Sequence, residues 1–339
     1  MTFSRVSRLT RLAAAVLLGF SLAGCLEGSL STGSISGAAS RPAIDKSPVL
    51  LVATTRRAAD DPENSPWFGA QRGKGLTFAE AKLSAPDRSL TGRVASIVTG
   101  DWSIASVRRV AQGGEAADAF AAAATGRDVL LYVHGYHETF SSSAINAAQL
   151  SEGIKFRGAT ALFTWPSAAS TFDYGYDRES ALWSRDAFED LLKALAESPS
   201  GGSVHIVAHS MGTLLTLETL RMLRASGGEA AMARIGAVVL AAPDVDLDLF
   251  TRSVERLGPD AQKITVISST NDRALAVSAR LAGGARAGAA EREKLEALGV
   301  RVADASDYSG GFANIVSHDL FLSNQEVQQV VKRAIERAG

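Results

Sequence analysis

The chain has a single cysteine among its 339 residues, at position 25. An internal disulfide is therefore excluded. The chain also lacks an excess of charge of either sign, since its formal net charge is −1. No basic patch interleaved with aromatic residues is present, so the sequence argues against a nucleic-acid partner. No internal repeat and no cluster of side chains at metal-ligand spacing occurs, and we expect neither a metal nor another cofactor.

The first 24 residues have the pattern of a bacterial lipoprotein signal peptide. Three arginines precede an apolar run over 12–23, which is too short for a dedicated membrane anchor. Residues 22–25, Leu-Ala-Gly-Cys, match a lipobox, in which the Cys25 thiol receives diacylglycerol and cleavage leaves Cys25 first. Cleavage would remove three arginines and no acid, and so change the net charge from −1 to −4.

These features predict a domain that is tethered to a membrane of the cell envelope, outside the cytoplasm. Leu26, where aspartate would favour retention at the inner membrane, favours the outer membrane. The alternative is a plain secretory signal with a chance cysteine. Residues 25–46 are rich in Ser, Gly and Ala and predict a flexible linker.

Strands alternate with helices over residues 47–339, which predicts one α/β domain with a mostly parallel sheet of about eight strands flanked by helices. The predicted strands lie near 48–54, 93–99, 128–133, 159–164, 204–208, 236–241, 263–269 and 299–303. The predicted helices lie near 142–153, 177–197, 211–225, 275–283, 289–297 and 324–337. The segment 56–92, with several prolines and glycines, is expected to wrap the sheet edge. No long insertion follows residue 236, so no large lid domain is expected.

Ser210 lies where a short β-branched run meets an amphipathic helix that ends near Gly227 and Gly228. A serine at such a corner is held in a strained conformation that exposes its hydroxyl as a nucleophile. The corner requires small residues two positions before and after it, and Ala208 and Gly212 meet that requirement, although glycine is usual at the first. The alternative is a serine that only caps the helix.

A catalytic serine needs a histidine base, and in triads built on this corner the order along the chain is serine, acid, histidine. The chain has five histidines: His134, His137, His205, His209 and His318. Only His318 follows Ser210, in a loop between the last predicted strand and the last helix. We therefore predict His318 as the base; its alternative is a packed or helix-starting histidine.

Two aspartates after predicted strands are candidates for the acid. Asp272 follows the strand at 263–269, and Asp244 follows the strand at 236–241. The later strand is the commoner host, so Asp272 is favoured and Asp244 is the alternative acid. Either carboxylate could instead cap the next helix.

An oxyanion hole needs two N–H donors. Met211, directly after the serine, and Tyr136, in the loop after the strand at 128–133, are the predicted donors. His134 is expected to bond loop backbone, and a metal role for His134 with His137 is disfavoured because they point in different directions. Three aromatic residues further on either line a substrate cleft or pack a long loop: Phe172, Tyr174 and Tyr176.

These motifs resemble the α/β-hydrolase superfamily, and within it a group of bacterial esterase- or lipase-like hydrolases of unassigned function. The resemblance extends over about 48–337 and implies a Ser-Asp-His hydrolase fold, but no particular substrate. It rests on four segments: 52–56 (VATTR), 132–136 (YVHGY), 163–167 (FTWPS) and 208–212 (AHSMG). Two later segments are similar too: 241–246 (AAPDVD) and 271–275 (NDRAL).

The sequence thus favours a serine hydrolase that cleaves a carboxylic ester or thioester through an acyl-enzyme on Ser210. Its expected substrate is a small-molecule or lipid acyl ester. The alternative function is that of an inert lipoprotein which keeps the hydrolase fold for a binding or envelope-structural role.

Overall fold

A computed structural model of the chain describes residues 48–61, 63–86, 102–170, 172–198, 201–308 and 317–339. The strands of this part are β1 (Val49–Ala58), β2 (Phe68–Ser84), β3 (Ser103–Gln112), β4 (Val129–Val133), β5 (Ala159–Thr164), β6 (Val204–His209), β7 (Ile235–Ala241), β8 (Ile264–Ser268) and β9 (Arg301–Asp304). They form one sheet in the order β3-β2-β1-β5-β4-β6-β7-β8-β9.

The sheet is mostly parallel, as predicted. β1 pairs parallel with β5, and every further pair through to β9 is parallel. Only the β1–β2 and β2–β3 pairs are antiparallel. Parallel strands are joined by crossovers that cover both faces of a sheet, so central strands read as continuous apolar runs.

Strand β4 shows how the sheet separates two cores. Its residues are all buried, and alternate side chains point to opposite faces. Val129, Leu131 and Val133 join the larger apolar core, whereas Leu130 and Tyr132 join the second one.

Helices pack on both faces. They are α1 (Ala116–Ala124), α2 (Phe140–Ile154), α3 (Tyr174–Trp183), α4 (Arg185–Glu197), α5 (Gly212–Ala233), α6 (Leu247–Leu257), α7 (Arg273–Ala282), α8 (Arg292–Glu296), α9 (Leu320–Ser323) and α10 (Gln325–Glu336). Buried side chains of α1, α4, α5 and α6 belong to the larger core. Those of α2, α9 and α10 belong to the second core.

The helices depart from the prediction at several places. The helix expected over 177–197 is two helices, because Ser184 ends α3 and its hydroxyl bonds Thr55 of β1 at 2.8 Å. Helix α1 was not predicted because it is alanine-rich and lacks helical periodicity. Helix α6 was also not predicted; it begins at the cap Asp246. Helix α5 continues beyond its predicted end, with non-helical backbone at Gly228.

The expectation that 56–92 wraps the sheet edge is wrong. Residues 68–84 form β2, which pairs with β1 and extends the sheet. The glycines that suggested a loop lie at the start of β2, where the register with β1 shifts twice. Irregular pairing of this kind removes the two-residue alternation by which a strand is recognised.

Several predictions lie outside the described residues: the strand at 93–99, the signal peptide at 1–24, Cys25 and the linker at 25–46. Within the described part, no helix is both long enough and apolar enough to cross a bilayer.

Phe163 of β5 should be a principal contributor to stability, since it is fully buried and stacks on Phe188 of α4 at 4.3 Å. We expect Phe163→Ala to lower the free energy of unfolding by about 3–5 kcal/mol through lost burial and a cavity. Urea denaturation of the domain measures this. Phe172→Ala is the matched control, because Phe172 is 96% exposed and should change stability little. Equal losses in both variants would contradict the assignment of the core.

Candidate active site

The candidate site lies at the edge of the sheet that is formed by the carboxyl ends of its parallel strands. Strands β4, β6, β8 and β9 run parallel within it, so their carboxyl ends meet at that edge. His134, Ser210, Asp272 and His318 each follow the end of one of these strands. Residues far apart in the sequence are therefore brought to a common edge.

Ser210 lies at a sharp corner between β6 and α5, as predicted. Its φ of 49° is in the left-handed region, which costs a residue with a side chain about 1–3 kcal/mol. Backbone hydrogen bonds fix this corner. Ser210 N–H donates to Ala241 O at 2.9 Å, and Ser210 O accepts from Thr213 N–H at 3.1 Å and from Asp244 N–H at 3.2 Å.

Small neighbours allow strand and helix to approach at the corner. A Cβ at Gly212 would overlap the carbonyl oxygen of His134, and one at Gly135 would lie 2.9 Å from the Cβ of Ser210. Ala208, which stands where glycine is usual, is fully buried within β6. The sheet therefore accommodates its methyl group.

Asp272 and His318 are brought together. His318 Nδ1 lies 2.7 Å from Asp272 Oδ2, and because an ionised carboxylate only accepts, Nδ1–H is the donor. The other oxygen of Asp272 accepts from Leu275 N–H at 3.1 Å, so this aspartate also caps α7. His318 Nε2 is left as the nitrogen that can take a proton.

The pair favours an ionised aspartate beside a histidine that protonates readily. Burial lowers the pKa of His318, but the hydrogen bond and charge of Asp272 outweigh it, so that this pKa is raised. Burial raises the pKa of Asp272, but the hydrogen bond from His318 and its charge outweigh it, so that this pKa is lowered. Asp272 therefore stabilises the imidazolium that forms when His318 accepts a proton.

Asp244, the alternative acid, belongs to another cluster. Its carboxylate accepts from Tyr174 OH at 3.0 Å and from Ser278 Oγ. Arg286 Nε lies 3.6 Å from it, and both side chains of this ion pair are buried. Since His318 donates its hydrogen bond to Asp272, the geometry favours Asp272 as the acid.

The two predicted oxyanion donors both lie next to residues at the serine corner. Met211 precedes α5, and Tyr136 follows Gly135 in the loop that packs against Ser210. No hydrogen bond among the described residues uses the N–H of either one. Both can therefore donate to a substrate oxygen.

The aromatic residues near this loop divide between packing and exposure. Tyr136 OH donates to Ser170 O at 2.9 Å, and its ring meets the edge of Tyr174 at 5.5 Å. Tyr176 OH donates to a backbone carbonyl of β2 at 3.2 Å. Phe172 projects into solvent. Loop packing thus accounts for Tyr176, and Tyr174 joins the Asp244 cluster.

His134 is structural, as expected. Its Nδ1 bonds Gly135 O at 2.9 Å, and its Nε2 accepts from Trp165 N–H at 3.1 Å. Burial and the charge of Arg56 hold its pKa well below the usual value. It is therefore neutral. In the described part of the chain no group of His, Cys and acidic side chains could hold a metal ion.

His209, for which the sequence predicts no role, packs against His318. Its ring lies 4.6 Å from that of His318 and 4.9 Å from that of Phe321. Asp319 Oδ1 is 3.4 Å from His209 Nε2, outside hydrogen-bond geometry. Burial lowers the pKa of His209 well below its usual value, so it packs against His318 as a neutral side chain.

Two buried charges, Arg56 and Asp177, have roles that are not predicted from the sequence. Arg56 lies within the resembling segment 52–56, whereas Asp177 lies in none of the resembling segments. An arginine that ends the buried run of β1 is a usable signal, because a buried charge requires partners. Asp177 carries no such signal, since an acid in an amphipathic helix is ordinarily exposed.

A serine held at a strand-to-helix corner of a parallel sheet, with an aspartate–histidine pair after later strands, defines an α/β hydrolase. The chain belongs to the family described as "Alpha/beta hydrolase of unknown function (DUF900)", whose model matches residues 115–334. The resemblance found in the sequence is thus confirmed at the level of the superfamily and its uncharacterised group.

Solved structures of hydrolases are similar to this chain at low identity. A cutinase-like protein from Cryptococcus sp. is 19% identical, with 63% of this chain and 96% of that chain covered and a TM-score of 0.37. The catalytic core domain of acetyl xylan esterase from Trichoderma reesei is 12% identical, with 64% and 100% covered and a TM-score of 0.39. A carboxylesterase from Bacillus subtilis is 12% identical, with 87% and 93% covered and a TM-score of 0.37. No curated protein matches the chain.

The assignment of Asp272 predicts how His318 titrates. Asp272→Asn removes the charge that holds the pKa of His318 up, so we expect this pKa to fall. Proton NMR titration of the His318 imidazole measures the shift. Asp244→Asn is the control. Asp244 raises the pKa of His318 only by its charge at a distance, so this variant should lower the pKa of His318 less than Asp272→Asn does. A larger shift in Asp244→Asn would assign the acid to Asp244.

Proposed function

We propose that this protein is a serine esterase that cleaves carboxylic esters or thioesters through an acyl-enzyme on Ser210. The observation that carries the proposal is the 2.7 Å hydrogen bond between His318 and Asp272, at the sheet edge that also bears the strained Ser210. A capping serine would need neither a positive φ nor an aspartate–histidine pair nearby.

In the proposed reaction, Ser210 Oγ attacks the acyl carbonyl carbon while His318 Nε2 takes the hydroxyl proton. The Met211 and Tyr136 N–H groups stabilise the resulting oxyanion. Collapse of this intermediate breaks the bond to the alcohol or thiol, and His318 gives that group its proton. Water, activated by His318, then attacks the acyl-enzyme and releases the acid.

The proposed substrate is a small-molecule or lipid acyl ester. Acyl transfer needs no redox group, and the residues named above supply nucleophile, base and oxyanion donors. The helix dipole of α5, whose amino end lies at Ser210, adds partial positive charge where the oxyanion forms.

Hydrolysis of short-chain p-nitrophenyl esters by the domain tests the proposal. Ser210→Ala should lower the rate by about 10³-fold or more, because the nucleophile is lost. Ser106→Ala is the control: Ser106 is an exposed residue of edge strand β3, and its removal should leave the rate unchanged. Equal hydrolysis by the wild type and Ser210→Ala would refute the proposal.

A fluorophosphonate probe separates an esterase from an inert protein with the same fold. Labelling that requires both Ser210 and His318 supports the acyl-enzyme route. A folded domain that takes no label would support the alternative of a binding or structural role.

We further propose that Cys25 carries a lipid that anchors the domain to the cell envelope, with the outer membrane favoured. The support is the sequence of residues 12–25, where an apolar run ends in Leu-Ala-Gly-Cys. The linker to residue 47 would let the domain work near the membrane surface.

For the anchor, Cys25→Ser should abolish metabolic labelling with a palmitate analogue and release the protein from sedimented membranes, since the acyl chains are the tether. Ser29→Ala, a change of similar size in the linker, should do neither. Unchanged labelling and sedimentation of Cys25→Ser would rule out lipidation at this residue.

A further inference from the structure

The Thr-Thr-Arg segment of β1 places a charged group inside the domain. Arg56 is only 2% exposed, and a buried guanidinium is strongly unfavourable unless its donors are satisfied. Burial lowers the pKa of Arg56 to about 10, while the charges of Asp177 and Glu138 oppose that fall. The side chain is therefore still charged at neutral pH.

All the guanidinium nitrogens of Arg56 have acceptors. Nε donates to Thr164 Oγ1 at 2.8 Å, and Nη1 donates to the carbonyl oxygens of Gly69 and Ser167, each at 3.2 Å. Nη2 donates to Glu138 O at 2.7 Å and lies 3.4 Å from the Nε2 acceptor of His134. One planar group thus joins β2, the loop after β5 and the loop after β4.

Asp177 of α3 holds the same two loops from the other side. Its Oδ2 accepts from Ser167 Oγ at 2.5 Å and from His137 N–H at 3.3 Å. Its Oδ1 accepts from Ala168 N–H at 2.7 Å. His137 has a φ of 63°, a conformation that needs such support in a residue with a side chain.

The bonds of Arg56 and Asp177 fix residues on both sides of Tyr136. Arg56 contacts the loop at His134 and Glu138, and Asp177 contacts it at His137. Neither charged side chain bonds Ser210 or His318 among the described residues. We infer that Arg56 and Asp177 are positioning residues, which hold the Tyr136 N–H where the oxyanion develops. This inference rests on the proposed function.

A lysine cannot replace this arginine. An ammonium has three donors around a point charge, whereas the guanidinium has five in a plane. Arg56→Lys would keep the buried positive charge but lose bonds to the loop. The loop would then move relative to Ser210, while groups that bind the rest of the substrate stay in place.

Arg56→Lys tests the inference in steady-state kinetics with p-nitrophenyl esters. We expect kcat to fall by about 10- to 100-fold with KM changed less than about threefold, because only transition-state stabilisation is lost. The affinity for a boronic acid, which mimics the tetrahedral intermediate, should fall in parallel with kcat. Circular dichroism and thermal unfolding show whether the variant is folded.

Arg72→Lys is the matched control. Arg72 Nε donates to Ser180 Oγ at 3.1 Å at a half-buried position, and none of the described hydrogen bonds joins its side chain to the loop after β4. This control should keep kcat and boronate affinity near the wild-type values. Asp177→Asn should show the same kcat loss as Arg56→Lys, and the double variant should lose less than the product of the two losses.

The outcomes separate this inference from the proposed function. If wild-type Ser210 takes no fluorophosphonate, the proposed function fails and the inference fails with it. If the wild type is labelled but folded Arg56→Lys keeps its kcat and boronate affinity, the inference alone is overturned. A loss confined to KM, or one that only follows the unfolded fraction, also overturns it, because a role in stability or substrate binding would then suffice.

Discussion

The left-handed backbone at Ser210 is the constraint on which the candidate site depends. It is unfavourable by itself, and it persists because Ala241 accepts the serine N–H and because Gly212 and Gly135 leave no side chain in the way. The parallel arrangement of β4, β6 and β7 supplies all these partners. The sheet thus stabilises the corner. It also brings the loops that carry the other candidate residues to the same carboxyl-terminal edge.

Buried charge around the corner is arranged in local sets. Asp272 accepts a hydrogen bond from His318. Asp244 pairs with Arg286 and accepts hydrogen bonds from Tyr174 and Ser278. Asp177 and Arg56 bond the same two loops, those after β4 and β5. Each carboxylate lies beside its own donors, which offset the unfavourable free energy of burying its charge. Separate partners also mean that a change in one set disturbs the others mainly through long-range charge.

Local features of the sequence predicted much of the fold. The strands that carry Ser210 and Asp272 are short apolar runs with polar ends, and their boundaries fall within one or two residues of those predicted. The prediction was wrong where the hydrophobic periodicity of a segment was weak. Glycines and register shifts removed the alternation of β2, and a run of alanines left α1 without a helical period. One predicted helix is divided at Ser184, which makes a tertiary hydrogen bond to Thr55.

The sequence alone determined the kind of domain and the corner at Ser210, and it singled out His318 as the candidate base, because these depend on short-range periodicity and chain order. Tertiary structure decided that the carboxylate bonded to His318 is that of Asp272, that Asp244 pairs with Arg286, and that Arg56 donates to Glu138 in the loop that carries Tyr136. These contacts join residues that are 46, 42 and 82 positions apart in the sequence. Their geometry depends on how strands pair and loops leave the sheet, which no local pattern specifies.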